Sequence, residues 1–505
     1  MSDSSGVVFP VDASSGRRST AVVGRSVVAE ALRAVDPVGA ASATRETNWR
    51  QGYLPHFRRL VEAGLTSDDA AVTIARDGIA ALHDRMRWST GGEDRPLAEA
   101  FDAASADVDD AAVSSTAVAA PASALGHETI RGSGTPDRTL SVPYAGERLS
   151  GDALRRQVDT WVAAGTVEPT LAEAVGVVID NPDWLDLSDR TVVVLGAAAE
   201  MGPLRTLLRW GADVAAVDLP RKDLWDKLIA ETRKSAGSIT VPVRRGDAPL
   251  AERLGGDLVH DLRAVTDWVE RLEGPLVIGN YVYADGATNV RVSAAVDALS
   301  ARVIGRRGRD EVALAFLATP TDVFAVPGSA VARSVANYAE RRTSKVLRVP
   351  LRTLSGGRLL RRNYVPVDGP DAPGINDSVV LQQGPNYLLA KRLQRWRATA
   401  YRADGGLVSL KVAPPTRTRS VVKNRALAAA YAGAHRFGIE VFEPGTANTL
   451  MAALLVHDLR TGAPAQPHPW QDEAYAAVHG GLWTAAYDPR SALGLAALLG
   501  VAAAR

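Results

Sequence analysis

The stretch VVVLGAAAEMGPLRTLLRWGADVAAVDL, residues 192–219, decides the fold. It opens on a short β-branched run that ends in Gly196, which reads as a buried strand followed by a tight turn. PLRTLLRWG then spaces its leucines at helical intervals, and ADVAAVDL returns to a strand. Gly196 ends the first strand and Gly202 opens the helix. Glycines at those places let a backbone turn sharply and approach a pyrophosphate resting on the helix N-terminus. Asp218 closes the second strand, about 20 residues after the turn, where a carboxylate accepts hydrogen bonds from a ribose. Arg221 follows and suits a 2′-phosphate instead. A tight strand-to-helix turn without any nucleotide is the plainer reading of the same residues.

Downstream, the alternation continues. SITVPV, PLVIGNYVY, VALAFLA and VSLKVAP read as further strands, separated by segments of crossover length. Strands alternating with helices imply a parallel sheet covered on both faces. The expected class is therefore α/β, a doubly wound, Rossmann-like sheet with an additional helical N-terminal region.

Upstream, the expected organisation is a disordered polar tail over 1–25, a helical region over 26–98, an Ala/Ser-rich linker over 99–135 and a helical lead-in over 136–190. Ser67 before Asp68 and Asp69 marks a helix start. The α/β domain covers 191–460, and a helical extension covers 461–505. The lead-in is expected to cover one face of the sheet.

Composition narrows the function. The 505 residues carry a formal net charge of +1, with charged residues at 23% and hydrophobic ones at 46%. No global field draws in nucleic acid or an anionic membrane. Cysteine is absent, which excludes disulfides, thiolate metal sites and a cysteine nucleophile. The N-terminus does not read as a signal peptide, and no apolar run is long enough to span a membrane. A cytoplasmic protein is expected. The eight histidines show no metal-ligand spacing, so no metal is expected, and His457 reads as a satisfied buried histidine. Neither a Gly-x-Ser-x-Gly elbow nor a phosphate-binding Gly-Lys-Ser/Thr loop occurs. The basic run RRTSKVLRVPLRTLSGGRLLRR suits a solvated loop, or alternatively an anionic ligand.

The second informative stretch is GPNYLLAKRLQRWRATAYRADGGLVSLKVAPPTRTRSV. Tyr387 and Lys391 are four apart and share one helical face. An ammonium beside a phenol favours the phenolate and tunes it for proton transfer. This stretch resembles the catalytic helix and following strand of the short-chain dehydrogenase/reductase superfamily, with Tyr-x-x-x-Lys and then Pro-Gly-x-x-x-Thr. Pro414, Pro415, Thr416 and Thr418 stand at the strand end. The turn after Gly196 has that family's spacing of one, five and seven, with Glu200 in the middle place.

The resemblance covers about half the chain, and it implies roles. Tyr387 would be the acid/base, Lys391 would lower its pKa and hold the nicotinamide ribose, and Thr319, or else Thr321, would steady the substrate oxygen, with Ser378 as rival. Gly196, Glu200, Gly202, Asp218, Arg221, Asp247, Asn280, Lys391, Pro414 and Thr416 would line the cofactor site. Tyr283 and Asp285 are candidates for substrate contact, although Asp285 equally suits a turn or helix cap. The segment 323–386 is an insertion relative to the family. The implied activity is NAD(P)-dependent reduction of a carbonyl or oxidation of an alcohol, with NAD slightly favoured over NADP. The substrate would be a small molecule, large or apolar within that class, and a homodimer is implied. Epimerase, dehydratase or enoyl reductase chemistry stays open, as does a non-catalytic binding or scaffold role.

Overall fold

In a computed structural model of the chain, the described residues are 5–13, 15–90, 92–101, 125–340, 342–364, 372–380, 382–463 and 465–501. Seven strands form the central sheet. They are β1 (Gly126–Arg131), β2 (Thr191–Leu195), β3 (Asp213–Val217), β4 (Ser238–Val243), β5 (Leu276–Asn280), β6 (Val312–Ala318) and β7 (Val408–Val412). Their spatial order is β7-β6-β5-β2-β3-β4-β1. β2 to β7 run parallel, and β1 joins the edge antiparallel to β4. The strand order reverses between β2 and β5. At such a switch point the two crossovers leave in opposite directions and open a crevice beyond the carboxyl ends.

Alternation along the strands sends side chains to two cores. Val192, Val194, Val214, Ala216, Ile239 and Val241 face one side, where Leu154, Val158, Trp161 and Leu171 of the 136–190 lead-in pack on them with α1 (Leu204–Trp210) and α2 (Lys222–Arg233). Val193, Leu195, Ala215, Val217, Ile278 and Leu314 face the other. That side is covered by α3 (Leu262–Glu270), α4 (Ala287–Arg307), α5 (Gly384–Ala403) and the N-terminal helices, whose Val27, Phe57 and Leu82 lie in the same core. Ser67 caps the helix Asp68–Arg85 by accepting from the Ala70 N–H.

Several segments differ from the sequence reading. Ser141–Tyr144 and Glu147–Ser150 form a β-hairpin inside the lead-in expected to be helical, and Arg87–Thr90 pairs with Glu93–Pro96 inside the N-terminal region expected to be helical. Gly126–Arg131, placed in the linker, is strand β1, and its single buried side chain Ile130 gave no alternating pattern to read. Gly6–Val8, placed in the disordered tail, is a fully buried strand paired with Arg87–Thr90. Arg291 holds it by donating from Nε to the Val7 carbonyl at 2.6 Å. Residues 102–124 of the linker lie outside the described residues. Within the 323–386 insertion, Val323–Val326 and Gly374–Asp377 pair antiparallel beside the helix Gly328–Glu340. His457 is buried against Asp458, 3.1 Å away. Among the described residues no helix is long and apolar enough to cross a membrane, and no cluster of three or more His, Cys, Asp or Glu side chains is arranged to hold a metal.

Candidate functional site

A cavity of about 370 Å³ opens beyond the carboxyl ends of β2, β5, β6 and β7. Into it the fold brings Glu200, Gly202, Asn280, Tyr283, Thr319, Tyr387, Lys391, Pro414 and Thr416. Residues separated by more than 200 positions thus converge because strand ends and one helix face point into the same crevice.

Helix α5 carries the central pair. Gly384 and Pro385 open it, and Tyr387 and Lys391 lie one turn apart on the face turned to β6. The Lys391 ammonium donates to the Leu317 carbonyl and to Gln394 Oε1, each at 3.1 Å. Gln394 in turn donates to Asn280 Oδ1 at 3.3 Å, so a polar chain links α5 to the end of β5. Burial lowers the Lys391 pKa to about 8, while the Asp322 carboxylate acts in the opposite sense. Burial also pushes the Tyr387 phenol well above its ordinary range. The Thr319 hydroxyl, hydrogen-bonded to it, draws it back down. Thr319 also shares a hydrogen bond with Thr321 at 3.0 Å. The rival Ser378 lies off this cavity, on the wall of the adjoining apolar chamber, where its buried hydroxyl donates to Asn376 Oδ1 at 2.6 Å.

Behind the pair sits a buried charge network. Arg395 bonds Asp322 at 3.0 Å, donates to the Val323 carbonyl at 2.9 Å and reaches Glu473 at 2.5 Å, with Phe324 beneath the guanidinium. It stabilises the segment that presents Thr319 and Thr321.

The glycine turn has a different character. Gly196 has φ of +87°, and a Cβ there would stand 2.9 Å from the backbone of Tyr281. Glycine is therefore demanded by the fold itself, whatever binds outside. Asp218 accepts from the Ala198 N–H at 2.7 Å and from the Leu219 N–H at 2.8 Å, which ties the turn to β3. Desolvation raises its pKa, and these two N–H groups oppose the rise. Glu200 reaches away from the turn: Oε2 accepts from the Arg419 N–H at 2.8 Å, and Oε1 pairs with the Arg419 guanidinium at 2.9 Å. Its charge is thereby compensated. Thr416 is buried and donates to the Pro414 carbonyl at 2.8 Å.

Gly196, Asp218, Arg221, Asp247, Asp285 and Ser378 are not on the cavity wall. Arg221 is exposed and paired with Asp223 at 2.6 Å, and Asp247 is exposed in the loop after β4. Asp285 accepts from the Tyr283 hydroxyl at 2.9 Å, while Gly286 occupies the N-cap of α4. Thr321, the alternative to Thr319, also lines the cavity, as do Gln383, Leu427 and Tyr431, which sequence reasoning missed. Gln383, just before α5, donates to Thr321 at 2.8 Å. Tyr431 lies in the Ala-rich helix Arg425–Gly433, where no motif marks it.

No protein-family model matches the chain, and no curated protein matches it either.

Two further spaces adjoin the cavity. A wide cleft of about 1120 Å³ shares Tyr283, Tyr387, Leu427 and Tyr431 with it. The rings of Tyr283 and Tyr387 meet edge to face there, with centroids 6.2 Å apart. A chamber of about 90 Å³, which shares Thr321, Leu427 and Tyr431 with both the cavity and the cleft, is lined mostly by apolar side chains, including Phe437, Ile439 and Leu482. A tyrosine, a threonine and a lysine at the meeting point of a polar cleft and an apolar chamber can hold and move one proton.

Proposed function

We propose that the chain is an NAD(P)-dependent oxidoreductase that interconverts a carbonyl and an alcohol. The observation that carries this reading is the convergence of Thr319, Tyr387, Lys391 and Asn280 on one cavity at the reversal point of the parallel sheet. Nicotinamide fits the donor set. The turn around Gly202, Pro414 and Thr416 lines one wall, the Glu200 charge is compensated by Arg419, and the cavity faces the Tyr387 helix. A bound nicotinamide supplies or accepts hydride at this point.

The chain's own groups handle the proton. Tyr387 gives a proton from its hydroxyl to the substrate oxygen in reduction and takes it back in oxidation. Thr319 holds that oxygen beside the phenol. Lys391 offers a positive charge to the phenolate and to the ribose, and Gln394 with Asn280 fixes its position. The apolar chamber excludes water from one side and takes the apolar part of a substrate.

The test is NADH and NADPH titration by fluorescence, followed by a carbonyl substrate screen. Binding of either nucleotide is expected, together with turnover that falls about 10²–10⁴-fold in Tyr387→Phe at unchanged nucleotide affinity. Failure of both nucleotides to bind at millimolar concentration sinks the reading. A scaffold role is the second reading, and Asp218 favours it, because both carboxylate oxygens already serve the turn's own N–H groups.

A further inference from the structure

A cavity of about 260 Å³ lies within the insertion and shares no lining residue with the reaction cavity, the wide cleft or the apolar chamber. Tyr338 and, one turn earlier, Ser334 bring the helix Gly328–Glu340 to its wall. That helix is fixed to the segment beyond: Ser334 donates to the Ala485 carbonyl at 2.6 Å, and Asn337 Nδ2 donates to the Thr484 carbonyl at 2.8 Å. Three arginines of the basic run converge on Tyr338. Arg348 Nη1 donates to its carbonyl at 3.0 Å, and the guanidinium carbon stands 4.0 Å from its ring centroid. Arg362 stands 4.9 Å from the same centroid, and Arg352 donates to the Tyr338 hydroxyl at 2.9 Å. Arg348 and Arg352 are four apart on the helix Arg342–Leu354, so one face presents both.

Arg348 is only 8% exposed. An arginine keeps its charge when buried, and that is costly unless acceptors take its N–H groups and a counter-charge stands nearby. One carbonyl and one ring face meet part of that need, because a ring attracts the cation but offers no lone pair to its N–H groups. The other guanidinium nitrogens of Arg348 have no acceptor among the described residues and are not sealed off from the cavity. Arg348 and Arg362 form no ion pair among the described residues, and Asp488 is already taken by Arg361 at 2.8 Å. They are the charged side chains on the described wall, and no carboxylate stands with them.

We propose that this cavity binds a small metabolite through an oxyanion, a phosphate or a carboxylate, held by the Arg348 and Arg362 guanidiniums. Such forks match both groups, and each offers N–H donors in a fixed plane. Arg348 supplies the buried donor and Arg362, which is exposed, the one at the rim. The Tyr338 ring is taken up by the two guanidiniums and by the edge of Tyr487, so it is not a platform for a planar base. Recognition runs through charge and hydrogen bonds, and the volume suits a ligand of a few carbons. This is a second ligand site, and it stands independently of the oxidoreductase reading.

Inorganic phosphate and citrate serve as probes, titrated by calorimetry into the full chain. One-site binding of at least one probe at millimolar concentration or tighter is expected. It should weaken about 10-fold or more in Arg348→Gln and in Arg362→Gln, and fall with added sodium chloride. Arg358→Gln removes an exposed arginine of the same run that does not line the cavity, and it should leave the affinity unchanged. Arg362 is exposed, so its variant keeps the fold and the test stays decisive whatever the stability of Arg348→Gln. Tighter binding of phosphate points to a phosphate ester, and tighter binding of citrate points to a polycarboxylate. Binding of neither probe overturns the proposal. So does binding that Arg362→Gln leaves unchanged, or that Arg358→Gln weakens as much as Arg362→Gln does, since a general basic surface would behave in that way.

Discussion

The two halves of the crevice use their polar groups in opposite ways. On the turn side, Asp218 is bonded to Ala198 and Leu219, Glu200 to Arg419, and Arg221 to Asp223. On the tyrosine side, Tyr387, Thr319 and Lys391 line open space, and a buried carbonyl, a glutamine and a carboxylate network hold them from behind. The turn's polar groups are satisfied within the fold, whereas the tyrosine wall lines a cavity. A sequence motif of equal strength can therefore mark a self-satisfied structural turn or the wall of an open cavity. Only the destination of each hydrogen bond separates them.

The contrast can be broken most sharply from behind the tyrosine wall. Arg395→Ala leaves Asp322 and Glu473 buried without their counter-charge, and a loss of about 3–5 kcal/mol in urea unfolding is expected. A loss near zero would show that the network does not support this wall. On the turn side, Gly196→Ala places a Cβ at positive φ against the Tyr281 backbone. About 2 kcal/mol or more of stability should disappear, whether or not nucleotide is present. A loss that appeared only in nucleotide affinity would return Gly196 to a ligand-binding role.

A pH comparison sharpens the contrast further. Burial holds Lys391 near 8 in the folded chain against 10.5 in the unfolded one. Between those values the unfolded chain binds the extra proton, so this lysine's contribution to stability rises with pH across that window. Below about 8 its burden is fully present. Relative to Lys391→Met, the wild type should gain stability from pH 8 upward, as followed by chemical unfolding at each pH. A flat difference would mean that Lys391 is solvated. The smallest effect belongs to Glu200→Gln, whose partner Arg419 is largely exposed, and about 0–1 kcal/mol is expected from thermal melts. A larger loss would make the turn's outer ion pair as important as the buried network.

Much of this arrangement is legible in the amino acids. The six parallel strands stand out because β-branched runs buried on both faces are bounded by glycine, proline or charge. Tyr387, Lys391, Thr319 and Asn280 meet because each follows from a strand end or a helix period. What stays hidden follows from interactions that have no local period. β1 shows a single buried residue, and the Gly6–Val8 strand depends on a partner some 80 residues away. Asn289 and Arg50 reach the same cleft from α4 and from an N-terminal helix, and nothing in either stretch names the other. Asp218 was legible as a carboxylate after β3, but not its engagement with the Ala198 and Leu219 N–H groups, since that depends on the exact path of the turn.

Helix α5 carries the Tyr387 phenol on one side and is gripped on others. Arg395 is tied to Asp322 and Glu473, while Arg397 grips Asp297 on α4 with two bonds of 2.7 Å each. A helix turns about 100° for each residue of slippage. These anchors, set two residues apart, work as keys in two separate slots, so the cylinder can neither roll nor slide without breaking both. Any reorientation of the Tyr387 phenol is then confined to its own side-chain torsions, since the helix that carries it is held in register.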